Sequence, residues 1–227
     1  MKGSTSMRIV AIGASAGGVQ ALSRVMRGLP ADLPAAIFVV LHMPAHSHSQ
    51  LDQVLQAVTA LTVTTAVDGE LFERGHVYVA PPDRHLVVDA ERIRLTHAPR
   101  ECRVRPAVDV LFRSVAASHG PRVIGVVLTG ALDDGTAGLR AIKERGGIAL
   151  VQDPATAEHR SMPESACRRV DVDGVLELED LSTEIVRRSL HAPAHEPRLG
   201  AREADGGHSV HQPRPLRWRN AGSIARA

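Results

Sequence analysis

Near its amino terminus the sequence reads Met7-Arg8-Ile9-Val10-Ala11-Ile12 and then Gly13-Ala14-Ser15-Ala16-Gly17-Gly18. The apolar run predicts a first buried strand, and the glycine-rich segment predicts a tight turn into a helix. A G-x-S-x-G turn of this kind lifts a serine hydroxyl above the end of a sheet, close to the unpaired N–H groups of the helix. The stretch therefore favours an α/β fold in which Ser15 is a nucleophile.

The same turn has two other interpretations. Gly13, Ser15 and Gly18 stand at the positions of the G-x-G-x-x-G motif, which binds the pyrophosphate of a dinucleotide. Serine is unfavourable at the middle position, and the second apolar run ends in His42 rather than in the acidic residue that binds a ribose. In the third interpretation Ser15 only caps the first helix. The residues favour the nucleophile.

Composition limits the class of protein. The 227 residues are 44% hydrophobic, which suits one α/β domain with a sizeable core. The two cysteines, Cys102 and Cys167, match neither a metal site nor a disulfide framework. No apolar stretch is long enough to cross a membrane, and no signal-peptide pattern precedes the first strand. We expect a soluble, cytoplasmic protein with reduced thiols and no membrane insertion.

Strand and helix patterns alternate along the chain. Strands are predicted at 7–12, 36–41, 61–67, 76–80, 122–128 and 148–151, and helices at 19–27, 49–58, 108–118, 135–145 and 181–190. Residues 85–89 and 92–95 flank a short turn and predict an antiparallel hairpin. This alternation predicts an α/β fold with a doubly wound, mostly parallel sheet, flanking helices and a small antiparallel hairpin.

The composition changes at His191. The segment 191–227 is rich in Pro, His, Arg, Gly and Ser and holds six arginines against three acidic residues. We expect one domain over 7–190 and a disordered basic tail over 191–227. Because the domain itself has no excess of positive charge, we expect it not to bind nucleic acid.

Polar residues of complementary chemistry follow three of the predicted strands. Ser15 follows the first strand, His42 the second, and Asp133 and Asp134 come soon after strand 122–128. Ligand sites of such sheets lie beyond the carboxyl ends of the strands, where these side chains would meet. A serine hydroxyl needs an imidazole to take its proton and a carboxylate to orient that imidazole. The sequence therefore predicts a triad of Ser15, His42 and Asp134.

The partners of Ser15 have alternative interpretations. His42 could end a strand without further role, or join His46 and His48 in a metal site, but no carboxylate or cysteine lies near them in the sequence. We therefore predict no metal site. Asp133 or Asp134 could simply cap the following helix.

Short motifs follow one another in a fixed order along the chain. They cover residues 12–18, 41–44, 80–85, 105–112 and 128–130 with 134–135, and they continue at 152–153 and 162–166. These blocks resemble the signature blocks of the chemotaxis protein-glutamate methylesterases (CheB), over about residues 7–190. Many blocks in the right order are far more specific than one G-x-S-x-G turn. Their alignment favours Asp134 over Asp133.

The resemblance implies an activity. It implies a catalytic domain that needs no cofactor and removes methyl groups from glutamyl γ-methyl esters on the cytoplasmic helices of chemoreceptors, with release of methanol. Some members also deamidate receptor glutamines. The resemblance implies Ser15 as nucleophile, His42 as base and Asp134 as its orienting partner.

The expected mechanism also predicts residues that bind the oxyanion and the substrate. Backbone N–H groups near Ala16, Gly130 and Ala131 are expected to hold the oxyanion. Position 16 is Ala where many members have Thr, and Ala131-Leu132-Asp133 replaces a common Met-Gly-Asn stretch. Arg103 and Arg105 are candidates for binding an acidic receptor helix. Arg105 could equally be a structural hydrogen-bond donor to a loop.

Many relatives carry an amino-terminal phosphoacceptor receiver domain, whereas this sequence begins six residues before its first predicted strand. We expect activity that is either constitutive or governed by a separate partner, such as a regulator or a partner methyltransferase. An alternative of another class is a non-catalytic receptor-binding signalling module of the same fold.

Overall fold

A seven-stranded parallel sheet forms the centre of the protein, whose computed structural model describes residues 7–46 and 49–191. The strand order is β3-β4-β2-β1-β7-β8-β9. The strands of this sheet are β1 (Arg8–Ala14), β2 (Ala35–Leu41), β3 (Thr62–Thr65), β4 (His76–Val79), β7 (Val123–Val127), β8 (Ile148–Gln152) and β9 (Gly174–Leu176). A separate antiparallel hairpin is formed by β5 (His85–Val88) and β6 (Ile93–Thr96).

Six helices cover the two faces of this sheet. They are α1 (Gly18–Arg27), α2 (Leu51–Gln56), α3 (Val108–His119), α4 (Thr136–Glu144), α5 (Ser161–Arg169) and α6 (Leu178–Leu190). Helices α1, α2 and α6 pack on one face, and α3, α4, α5 and the hairpin pack on the other. Every residue of β1 and β2 is buried, because helices cover both faces of these central strands.

The strand order reverses direction between β1 and β7. The first half of the chain adds strands on the β2 side of β1, and the second half adds strands on the other side, beginning with β7. Such a reversal leaves a crevice beyond the carboxyl ends of the two strands, where α/β sheets bind ligands. The turns after β1 and β7 therefore mark the expected site.

The predicted fold class is confirmed, including the hairpin. Helix α2 is shorter than the predicted 49–58, and α6 begins at Leu178 rather than at 181. Helix α5 and strand β9 were not predicted. Helix α5 carries a proline in its first turn, and β9 is a three-residue edge strand, too short for an alternating pattern.

The predicted domain boundary at 190 stays a prediction. The predicted disordered tail lies outside the described residues, apart from His191. Within the residues that the structure describes, no helix is long and apolar enough to span a membrane.

A buried arginine ties the beginning of the domain to its end. Arg8, only 4% exposed, donates to the carbonyl of Pro121 at 2.7 Å and to the carbonyl of His191 at 2.8 Å. Both acceptors are backbone groups just before β7 and just after α6. Strand β1 is therefore held at its amino end by two segments that are more than a hundred residues away in sequence.

Candidate active site

Ser15 lies in the turn between β1 and α1. Its N–H donates to the carbonyl of Thr129 at 3.0 Å, and its carbonyl accepts the N–H of Gly18 at 2.8 Å. Gly17 has a φ of 74°, a left-handed conformation that glycine adopts without strain. These contacts fix the turn both from the end of β7 and from α1, and they leave the Ser15 side chain half-buried at the predicted crevice.

His42 follows the last residue of β2 and extends the pairing of β2 with β1. Its N–H donates to the carbonyl of Ala14 at 3.1 Å. The hydrogen bonding between the two strands therefore fixes the position of the His42 backbone, from which the imidazole extends. The ring nitrogen Nδ1 lies 3.1 Å from Ser15 Oγ, and the side chain is 12% exposed.

Asp134 is buried beneath the imidazole. Its Oδ2 lies 2.7 Å from His42 Nε2 and accepts the N–H of Val108, also at 2.7 Å, while Oδ1 accepts the N–H of Asp109 at 3.0 Å. Val108 and Asp109 open α3, whose amino end carries partial positive charge. Burial raises the pKa of the Asp134 carboxyl, but the hydrogen bonds from His42 and from the two N–H groups outweigh it, so the pKa lies below its ordinary value. The carboxyl is therefore ionised at neutral pH.

The two ring nitrogens of His42 have different partners. An ionised carboxylate only accepts hydrogen bonds, so the ring proton lies on Nε2 facing Asp134. Nδ1 is then an acceptor that faces the hydroxyl of Ser15. In the chymotrypsin triad the ring is turned the other way, with Nε2 on the serine. The chain of contacts from hydroxyl to imidazole to carboxylate is the same.

Gly130 lies against the serine, but its own N–H is occupied. A Cβ on Gly130 would stand 2.8 Å from Ser15 Cβ and 2.5 Å from Met162 Sδ, so a larger residue here would displace these side chains. The Gly130 N–H donates to the carbonyl of His159 at 2.9 Å. We therefore remove Gly130 from the expected oxyanion donors. Ala131, the next residue, is exposed.

The backbone N–H groups of Ala16 and Ala131 have no acceptor among the residues that the structure describes. Both residues are exposed, one directly after Ser15 and the other directly after Gly130. These two N–H groups are the remaining candidates for binding an oxyanion beside Ser15.

Asp133 is separate from this arrangement. Its Oδ2 lies 3.0 Å from Arg169 Nη1, and both side chains are at least half exposed. The neighbouring Asp134 alone turns inward to His42. The structure thus brings together the three residues of the predicted triad and excludes Asp133 from it.

Comparisons with known proteins agree with this geometry. A family model described as CheB methylesterase matches residues 10–185. The chain belongs to the CheB methylesterase family. The crystal structure of the Thermotoga maritima CheB methylesterase catalytic domain is similar, with a TM-score of 0.78 and 35% identity, over 80% of this chain and 98% of that one. Family membership favours the nucleophile interpretation of Ser15 over the dinucleotide one.

Two curated relatives carry the name protein-glutamate methylesterase/protein-glutamine glutaminase. The one from Methanosarcina mazei, numbered 2, is 40% identical over 81% of this chain and 52% of its own length. The one from Moorella thermoacetica is 42% identical over 79% of this chain and 44% of its own length. The chain therefore spans about half the length of these relatives.

The CheB-family domain holds Arg105 in a structural network. Arg105 donates to Asp83 Oδ1 from Nη2 at 2.7 Å and from Nε at 3.0 Å, and to the carbonyl of Ala98 at 2.8 Å. Hydrogen bonds from Arg105 and from His97 lower the pKa of Asp83 to about 2. The structural interpretation of Arg105 is therefore the one that its contacts support. Asp83 and Ala98 were not among the predicted site residues, since only the folded loop brings them to Arg105.

Arg103 lies at the tip of a tight turn beside the triad. Glu101 and Val104 exchange backbone hydrogen bonds of 3.2 and 2.8 Å, and the two residues between them, Cys102 and Arg103, have φ values of 48° and 67°. Such a turn normally takes Asn and Gly at its central positions. Together with His42, the loop lines a cavity of about 330 Å³.

This cavity carries positive charge. Arg100 and Arg103 both line it, and neither has an ion-pair partner among the described residues. Arg105 also lines it, with its charge balanced by Asp83. The cavity therefore offers two uncompensated guanidinium groups next to His42.

One group of side chains could in principle hold a metal ion. In the part of the chain that the structure describes, ligand atoms of Cys102, Asp109 and Asp134 lie within 4.8 Å of one another. The Asp134 oxygens already accept three hydrogen bonds, and Asp109 Oδ1 accepts the N–H of Gly138 at 2.6 Å. Burial, followed by nearby carboxylates, raises the pKa of the Cys102 thiol to about 11, which disfavours the thiolate that a metal needs. The prediction of no metal site stays a prediction. His46 is exposed, and His48 lies outside the described residues.

Proposed function

We propose that this chain is a serine hydrolase that removes methyl groups from glutamyl γ-methyl esters of chemoreceptors and releases methanol. The observation that supports this proposal most directly is a pair of side-chain contacts. Ser15 Oγ lies 3.1 Å from His42 Nδ1, and His42 Nε2 lies 2.7 Å from Asp134 Oδ2. It lies at the crevice where an α/β sheet binds ligands. The names of the relatives support glutamate methyl ester as substrate and glutamine amide as a second one.

The first half of the reaction forms an acyl-enzyme. His42 Nδ1 takes the proton of Ser15 as its oxygen attacks the ester carbonyl, and ionised Asp134 stabilises the imidazolium. The N–H groups of Ala16 and Ala131 hold the oxyanion, and each such donor contributes about 3 kcal/mol. His42 Nδ1–H then protonates the methoxy oxygen, and methanol leaves.

The second half restores the enzyme. Water loses a proton to His42 Nδ1 as it attacks the glutamyl-Ser15 ester. The tetrahedral species collapses, Ser15 oxygen recovers that proton, and the product is a free glutamate side chain. With a glutamine substrate the leaving group is ammonia, and the same acyl-enzyme forms.

We propose that the positive cavity beside His42 receives acidic residues of the substrate. Arg103 is the strongest candidate, because its backbone is strained and its guanidinium has no ion-pair or hydrogen-bond partner among the described residues. Arg105 supports this loop through Asp83. A receptor helix that carries free glutamates near the esterified one would complement such a surface.

The decisive experiment measures methanol release from methylated chemoreceptor membranes by the intact chain and by Ser15→Ala. We expect the substitution to lower the rate by on the order of 10⁴ to 10⁶. Ser23→Ala is the matched control, because Ser23 lies on α1 and bonds only within its own helix, to the Val19 carbonyl. A small activated ester, p-nitrophenyl acetate, is assayed in parallel.

The outcomes separate the possibilities. Release that survives in Ser15→Ala would overturn the role of the serine. Hydrolysis of the small ester without methanol release would overturn the receptor substrate and leave the hydrolase. A folded chain that hydrolyses neither would favour the non-catalytic module, which the names of the relatives do not favour.

A further inference from the structure

Leu132 has an unfavourable backbone and an exposed side chain. Its φ is 66°, and its side chain is 67% exposed. The left-handed region is uncommon for residues other than glycine and is most unfavourable for bulky ones. The exposed side chain adds little to the core. For the stability of the domain alone, glycine would be the better residue here.

The turn that holds Leu132 is fixed from outside. The Leu132 N–H donates to Ser161 Oγ at 3.1 Å. Gly130 accepts a hydrogen bond from that same hydroxyl at 3.2 Å and from the Met162 N–H at 3.0 Å. Three contacts from the start of α5 thus keep the strained conformation in place. Strained residues that the surroundings hold in this way cluster at functional sites.

Leu132 lies at the edge of the candidate active site. It follows Ala131, one of the two free backbone donors, and comes two residues before Asp134. Two residues of chain span at most about 7 Å, and Gly130, two residues before Leu132, stands against Ser15. An exposed leucine here is within reach of any polypeptide that presents a side chain to Ser15.

From the strain, exposure and place of this residue, we infer that Leu132 is a specificity-determining residue, whose side chain contacts an apolar side chain of the substrate polypeptide next to the esterified glutamate. This inference rests on the proposed function. Leu132 takes no part in bond making. Covering an exposed leucine with an apolar partner strengthens binding by about tenfold or more.

The test compares Leu132→Ala, Leu132→Gly and Leu132→Met on methylated receptor membranes and on p-nitrophenyl acetate. We expect the Ala and Gly variants to raise KM for the membranes by about tenfold and to change kcat less than about twofold. The rate of hydrolysis of p-nitrophenyl acetate should not change. Met keeps an apolar side chain of similar volume and should restore KM. Gly should also raise the Tm, because it removes the backbone strain.

Leu190→Ala is the matched control. Leu190 is equally exposed, at 67%, but lies at the end of α6 beside the Arg8 contacts, away from Ser15. We expect it to leave KM unchanged. An unchanged KM in both Leu132→Ala and Leu132→Gly would overturn the inference while the wild type remains active.

Two further outcomes would also overturn it. Equal losses of kcat/KM for the receptor membranes and for p-nitrophenyl acetate would show that Leu132 acts by shaping the active site rather than by contacting the polypeptide. A wild-type chain that hydrolyses neither ester would overturn the proposed function and this inference with it.

Discussion

The two ends of the central sheet each hold a histidine, in opposite surroundings. At the carboxyl end, His42 lies between Ser15 and the ionised Asp134, and both ring nitrogens have partners. At the amino end, His119 accepts a hydrogen bond from Arg122 Nη2 at 3.1 Å, and its Nε2 has no partner among the described residues. Burial, followed by the charge of Arg122, lowers the pKa of His119 to about 4.

The difference shows what makes a histidine useful as a base. A carboxylate beside the ring stabilises the imidazolium that forms when a proton is taken up. A guanidinium beside the ring opposes it, so His119 stays neutral and is packed like an aromatic side chain, with its ring centre 5.7 Å from that of Phe72. In the cavity of about 490 Å³ at this end, His119 is therefore poorly suited to act as a base.

The largest expected effect comes from removing the charge beside His42. Asp134→Asn should lower kcat by on the order of 10⁴, because an amide no longer fixes the ring proton on Nε2 or stabilises the imidazolium. Asp133→Asn is its control, since the only hydrogen bond of the Asp133 side chain within the described residues is to Arg169. Methanol release gives the comparison, and equal losses in the two variants would contradict the assignment of Asp134.

The next effect concerns stability at the amino end. His119 is neutral when folded down to about pH 4, whereas it takes up a proton near pH 6.5 when unfolded. The unfolded state then binds more protons, so stability falls as the pH falls from 6.5 to 4, by on the order of 3 kcal/mol. His119→Phe should remove most of this fall. Thermal unfolding across that pH range measures it.

A control and a contrary result are available for the same measurement. The control variant is His46→Gln, at an exposed histidine in the segment after β2. If His119→Phe and the wild type lose stability in parallel between pH 6.5 and 4, the histidine is not held neutral by its surroundings.

A smaller effect is expected from crowding the serine. In Gly130→Ala the new Cβ would meet Ser15 Cβ at 2.8 Å, so the hydroxyl must move away from His42. A displacement of about 1 Å costs roughly a hundredfold in rate. Gly174→Ala is the control, because its nearest neighbour would be the flexible end of Leu150 at 3.3 Å, on an edge strand. Equal activity in both variants would show that the turn adapts.

The smallest effect concerns the loop beside the triad. Arg105→Lys keeps the charge but replaces by a single nitrogen the three that bind Asp83 and the Ala98 carbonyl. We expect KM for the membranes to rise roughly two- to fivefold with kcat nearly unchanged. Arg24→Lys alters a comparable forked contact with Glu179 on the surface between α1 and α6, and it should leave KM as it is.

Much of the site was predictable because it follows strand ends. The positions of Ser15 and His42 depend only on where two strongly apolar runs stop, and those runs are unambiguous in sequence. The choice between Asp133 and Asp134 depends on which of two consecutive side chains points toward His42 in the turn after β7. The residues alone left this choice open. The resemblance to the family favoured Asp134, which is the carboxylate that contacts His42.

Other parts depend on contacts between distant segments. The Gly130 N–H is taken by His159, which lies on a segment for which no element was predicted. Arg105 has a structural role only because the loop brings it to Asp83, 22 residues earlier. The strain at Leu132 is seen only in its φ, although Leu132 stands where the Met-Gly-Asn stretch common in the family has glycine.

The Arg8 contacts have a consequence for engineering. Since Arg8 binds the His191 carbonyl at 2.8 Å, the start of the first strand lies beside the end of the last helix. A short linker could therefore join these two points in a circularly permuted domain. Such a circularly permuted domain would keep all contacts of the Ser15 crevice, which lies at the carboxyl ends of the strands.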